Sequence, residues 1–157
     1  MRTSLTCGAF IWLFFSHHVI AKVPQITLQS TCDQSVAIFV GRVETIAFDT
    51  NGAKATTQAS FVVETLLLPN ANQSKFIVYF QPGSSVSPVF DKGKSYVVFA
   101  RPFLDGYATV NGDAGAFQID EGHVIDSALF DGVGEVKLTD FLMRVCQCIG
   151  LRKAHGK

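Results

Sequence analysis

The stretch STCDQSVAIFVGRVETIAF, Ser30 to Phe48, poses the problem of the fold. One cysteine and a short polar step precede an apolar run, VAIFV, that does not alternate, the pattern of a strand buried on both faces. After Gly41 the chain continues as RVETIAF, half polar. A glycine at such a change of pattern predicts a bulge or sharp coil in one long strand. Small closed barrels use such a device, because one strand must bend to join both halves. The other reading of Gly41 is that it packs beneath a bulky neighbour such as Phe99.

Downstream, short β-type runs are separated by turn chemistry. DTNGAKATT (Asp49–Thr57) carries an Asn51-Gly52 turn pair. QASFVVETLLL (Gln58–Leu68) has a period near two and predicts the second strand, and KFIVYF (Lys75–Phe80) the third. QPGSSVSP is a Gly/Pro/Ser loop. FDKGKSYVVFA (Phe90–Ala100) turns at Lys92-Gly93 into a strand, DGYATV opens at Asp105 with another turn, and Asn111–Asp126 reads as a hairpin with Glu121-Gly122 at its tip. Turns every eight to twelve residues favour a sandwich or small barrel. The end differs: Phe141, Leu142, Val145 and Ile149 lie near helical spacing. Thr139 is the expected N-cap, Leu138 the staple against Met143, and Gly150 the stop. LRKAHGK, residues 151–157, is then a short basic tail, read as solvated and frayed.

The N-terminus has the layout of a secretory signal peptide over residues 1–21: basic Arg2, an apolar core from about Leu5 to Phe15, and Val19-Ile20-Ala21 before the cut. The core is shorter than the roughly 20 residues that span a bilayer. Residues 22–150 then form a single domain, exported to a secreted or periplasmic location with no stable membrane anchor. Loss of Arg2 turns a balance of 13 basic and 13 acidic side chains into a net charge near −1. Nothing in that balance supplies a basic face for nucleic acid. Export permits disulfides, and Cys32, Cys146 and Cys148 suit one bridge plus one free thiol.

The cysteine before the first strand, AIFVGRVETI, ASFVVETLL and FDKGKSYVVFA together resemble the netrin-like and tissue-inhibitor-of-metalloproteinases superfamily, over Cys32 to about Ile119. The resemblance implies a mainly β fold: a small closed Greek-key barrel of the oligonucleotide/oligosaccharide-binding type, five- to six-stranded, with a C-terminal α-helix. It also implies an exported inhibitor-like or binding module. Tissue inhibitors chelate the protease zinc through the free amine and carbonyl of an N-terminal cysteine within Cys-X-Cys. Here Cys32 lies about ten residues inside the expected terminus at Lys22, and the Cys-X-Cys is at the other end, Cys146 and Cys148.

Among the chemistries, a bridge from Cys32 to Cys146 or Cys148 would close a loop of over a hundred residues, for which the chain-entropy model gives roughly 4–5 kcal/mol. A three-cysteine metal site is the alternative, but Cys-X-Cys is tight for tetrahedral zinc. A redox pair would ordinarily be spaced by two residues. Of the histidines only His123 and His155 survive leader removal, His123 being read as an exposed strand residue, and no G-x-S-x-G accompanies them. Asp113, Asp120, Glu121, Asp126 and Asp131 fall within one acidic segment; Ca²⁺ binding or hydrolysis there is the competing reading, although the EF-hand spacing is absent and turn-forming carboxylates explain most of them. Of the 14 Phe, those at strand positions (Phe39, Phe61, Phe76, Phe80, Phe90, Phe99, Phe117) are expected in the core rather than as a stacking row for bases or sugars.

The expected function is therefore a non-enzymatic binding or inhibitor-like module, needing no cofactor or metal, for an extracytoplasmic protein partner. A structural cell-envelope component is a third reading. The expected working surface is one end of the barrel, the loops Asp49–Thr57 and Gln81–Pro88, with Asn51, Gly52, Ser84 and Ser85 as binding residues.

Overall fold

The structure, a computed structural model, describes residues 26–49, 56–68, 73–125 and 134–155. The leader expected over residues 1–21, the Asn51-Gly52 turn, and Asp126 and Asp131 of the acidic segment lie outside the described residues. The elements in chain order are α1 (Leu28–Gln34), β1 (Ala37–Asp49), β2 (Thr56–Leu68), β3 (Lys75–Phe80), β4 (Ser95–Phe103), β5 (Gly106–Thr109), a 3₁₀ turn (Gly112–Gly115), β6 (Ala116–Asp120), β7 (His123–Ile125), β8 (Glu135–Lys137) and α2 (Leu138–His155).

Five strands close on themselves in the order β1-β2-β3-β5-β4, with β4 returning to pair with β1. All these pairings are antiparallel except β3 with β5. This is the Greek-key barrel expected of an oligonucleotide/oligosaccharide-binding-like fold, and β6, β7 and β8 extend its sheet as a meander from β4.

The unbroken apolar run of β1 has a direct cause. Ala37 and Phe39 face the barrel interior, with Phe61, Phe76, Phe90, Tyr96 and Val98. Ile38 and Val40 face a second core outside the barrel, shared with Val97 and Phe99 of β4, Phe117 of β6, and Phe141, Val145, Cys148 and Ile149 of α2. Strands β1 and β4 are thus covered on both faces. The strand phenylalanines named from sequence are all buried, and Phe39 stacks on Phe76 with ring centroids 4.4 Å apart.

Gly41 meets both of its expected readings, each in altered form. The β1–β2 register shifts between Val40 and Gly41, but the extra residue, Glu64, belongs to β2. The bulky neighbour is Phe39, not Phe99: a Cβ on Gly41 would stand 3.1 Å from the Phe39 ring and 3.0 Å from the Val62 carbonyl oxygen. The extra residue on β1 itself is Glu44. That bulge reverses the facing of the strand, so Ile46 rather than Thr45 packs against the barrel core.

The C-terminal helix departs from expectation at both ends. β8 runs straight into α2, so Leu138 begins the helix, its N–H donating to the Gly122 carbonyl, and Thr139 lies inside it. Leu138 packs on the outer core while Met143 is exposed, so no staple forms. Gly150 does not stop the helix, which continues to His155 through most of the expected tail. A glycine inside a helix costs only about 1 kcal/mol, and the turn beyond it is held by Arg152, which donates to the carbonyls of Ser35 and Cys32.

Cys32 lies within α1, whose start is fixed by a reciprocal cap between Thr27 and Ser30. It is fully buried and bonded to Cys148, joining α1 to α2, while Cys146 is free and exposed. Positions two apart on a helix point to opposite sides, which is why only one of the Cys-X-Cys pair reaches α1. His123 is half-buried on β7, with Nδ1 3.4 Å from Glu135 of β8, rather than exposed.

Candidate functional site

Along β4, Tyr96, Val98 and Ala100 face into the barrel and Val97 and Phe99 face the outer core. The alternation carries on past the edge of that core, so Arg101 and Phe103 emerge on the outer face, exposed. Beside them lie Ala108 of β5 and Tyr79 of β3. Together with the loop after β3 they line a cleft of about 340 Å³, whose walls include Gln81, Ser84, Val86, Ser87 and Pro88 of that loop, and Thr109 and Gly112.

The loop wall is built rigidly. Ser87 Oγ accepts from the Gln81 N–H and Ser84 Oγ from the Val86 N–H, while the N–H groups of Ser84 and Ser87 donate to the carbonyls of Gln81 and Ser84. The loop is pinned to the 3₁₀ turn by the Asp113 N–H, which donates to the Val86 carbonyl. Gly112 is required there: its φ is +65°, and a Cβ would lie 2.0 Å from the Val86 oxygen.

Just past Phe103, the two-residue turn Leu104-Asp105 joins β4 to β5, with Phe103 paired to Gly106. Asp105 accepts a hydrogen bond from the Tyr79 hydroxyl, which accepts in turn from Gln58 at 3.4 Å. Tyr79 and Phe103 meet edge to face at 5.8 Å. Leu104 has a φ of +51°. That region is the habit of glycine, asparagine and aspartate, and costs a leucine about 1–2 kcal/mol. The strained turn presents Leu104 to solvent, 71% exposed, next in the chain to Phe103.

Of the binding residues named from sequence, Ser84 lines this cleft, its hydroxyl serving the loop's own backbone; Ser85 is exposed and is not among the lining residues. Of the described residues of the Asp49–Thr57 loop, Thr56 lines the cleft. Arg101, Phe103 and Leu104 were missed, because RPFL follows a strand expected to end at Ala100. The signal available was the pairing of exposed aromatic, apolar and Arg residues immediately before a turn.

Among the described residues, the ionisable side chains lining the cleft are Arg101 and Tyr79. Among the described residues no group of three His, Cys, Asp or Glu side chains is placed to hold a metal ion. Elsewhere, the Cys32 carbonyl, the group a tissue inhibitor would turn to zinc, accepts from the Ser35 N–H at 3.1 Å and from Arg152 at 3.4 Å. No protein-family model matches this chain, and a search of curated proteins finds no relative. Among the described residues no helix is long and apolar enough to cross a membrane.

Proposed function

We propose that this chain is an exported, non-enzymatic binding module of netrin-like architecture, and that it recognises an extracytoplasmic protein partner with the outer face of β3, β5 and β4. The observation that carries the reading is the cleft lined by Arg101, Phe103, Tyr79 and Val86, with the strained Leu104 exposed in the turn that directly follows Phe103. The two-residue turn needs a left-handed residue, and a leucine where glycine, asparagine or aspartate would cost less points to use of the side chain it displays. Aromatic residues and arginine clustered around a pocket have the composition of interface hot spots. A buried disulfide supports an oxidising compartment. The zinc-chelating route of tissue inhibitors is not part of the proposal, since the Cys32 sulfur and carbonyl are both engaged.

The test is affinity capture from the native extracytoplasmic fraction with the oxidised protein and with Leu104→Gly and Val86→Ser variants of unchanged melting temperature. The wild type should retain a partner protein in stoichiometric amount, and both variants should lose it. Equal retention by all three proteins would refute this surface.

A further inference from the structure

We infer that the cleft takes an extended segment of the partner in which an Asp or Glu side chain meets Arg101 and an apolar side chain two residues away packs between Val86 and Phe103; the inference rests on the reading of this face as the working surface. Arg101 is an exposed cation on the cleft wall and enters no salt bridge among the described residues. The acid of the adjoining turn, Asp105, lines a different groove, where it accepts from Tyr79. Among the described residues that line the cleft, Arg101 is thus a cation with no carboxylate beside it in the lining, flanked by the apolar side chains of Val86 and Phe103. Arginine is the cation suited to a carboxylate, which its planar fork binds with two parallel hydrogen bonds.

The spacing follows from strand geometry. Arg101 and Phe103 are two apart on one face of β4, roughly 7 Å along the strand. An extended ligand has the same repeat, so its acidic and apolar side chains fall two residues apart. The carboxylate belongs to a side chain rather than a chain end, because capture of a terminal carboxylate uses converging free backbone N–H groups. The N–H groups of Gln81, Ser84, Val86 and Ser87 are already committed within the loop. A single unpaired arginine also suits one carboxylate better than a run of phosphates.

The experiment selects random dodecapeptides, displayed inside a carrier protein so that no chain end is offered, on the oxidised wild type and on Arg101→Gln and Leu104→Gly variants. Selected sequences should carry Asp or Glu two positions from Leu, Ile, Phe or Tyr. The corresponding peptide, synthesised with blocked ends, should bind Arg101→Gln about tenfold more weakly. Replacing its acid by the amide should cost a similar factor on the wild type and nothing further on Arg101→Gln, as expected of a coupled pair. Selection of apolar peptides without an acid, bound equally by Arg101→Gln but lost in Leu104→Gly, would overturn the acidic partner and leave the surface standing. So would failure to select any peptide while partner capture still depends on Leu104. Self-association of the protein that Arg101→Gln abolishes overturns it in favour of a second copy of this chain.

Discussion

The guanidinium of Arg152 donates to the carbonyl oxygen of Ser35 at 2.6 Å, tying the last turns of α2 to the residue that closes α1. The same group reaches the Cys32 carbonyl, and cations are favoured at a helix C-terminus where carbonyls lack partners. The contact is part-buried, and hydrogen bonds from charged donors contribute about 1.5–3 kcal/mol. Arg152→Ala should therefore destabilise the oxidised protein by about 1.5–2 kcal/mol, at the lower end of that range. Urea unfolding measures it; a midpoint equal to the wild type would show the contact to be idle.

The disulfide acts at the same junction. Cys32 and Cys148 are 116 residues apart in sequence, so their bond restrains most of the unfolded chain. Replacing both by alanine should cost about 4–5 kcal/mol on the chain-entropy model. Cys146→Ser, at an exposed position, should change stability by no more than about 0.5 kcal/mol. Peptide mapping without reduction should return Cys32 linked to Cys148, with Cys146 open to alkylation.

Gly112 and Gly93 both have positive φ, +65° and +84°, yet their surroundings differ. A Cβ at Gly93 meets nothing within 4 Å, whereas at Gly112 it meets the Val86 oxygen at 2.0 Å. Gly93→Ala should thus show only the left-handed backbone cost, about 1 kcal/mol. Gly112→Ala should exceed it clearly, because the loop wall must be pushed off the 3₁₀ turn. Thermal melts rank the two, and hydrogen exchange should rise at the Asp113 N–H in Gly112→Ala alone.

Tyr96 gives stability a pH dependence. Burial in the barrel pushes its hydroxyl above the ordinary value of 10.0. The hydrogen bond from the Asp91 N–H, which favours the phenolate, opposes the shift, and the Asp91 charge adds to it. The folded state thus keeps a proton that the unfolded state releases first. The associated stability is complete below pH 10 and is lost as pH rises through the folded value. Tyr96→Phe should cost about 1 kcal/mol at neutral pH, for the lost hydrogen bond. Above pH 10 the gap to the wild type should narrow. A gap that stays constant to pH 11 would contradict a raised hydroxyl.

The strands that alternate or lie between strong turns were legible in sequence, and β3 begins and ends as KFIVYF implied. The unbroken VAIFV run was legible too, because burial on both faces leaves a continuous apolar signature. Element α1 was not: seven residues hold too little periodicity, and its cap pairs Thr27 with Ser30 rather than with a Glu or Gln. The true end of α2 was hidden because Gly150 is a stop signal only where nothing beyond it is tied down, and Arg152 is. At the site, Pro102 and the DG pair at Asp105 made the end of β4 look like loop. The left-handed conformation of Leu104 belongs to a residue type that gives no hint of it.

That residue offers the sharpest separation of stability from function. Leu104 is in the left-handed region in a two-residue hairpin turn, and its side chain is largely in solvent, so its removal leaves no cavity. Leu104→Gly relieves about 1–2 kcal/mol of backbone strain. It also gives back about 0.5–1 kcal/mol through the freer unfolded chain. The variant should therefore be as stable as the wild type or more so, by up to about 1 kcal/mol. If the displayed leucine is kept for a partner, the same variant should lose capture of that partner while its melting temperature holds or rises. A destabilised Leu104→Gly would mean that the side chain supports the turn, and the argument from strain to function would fail with it.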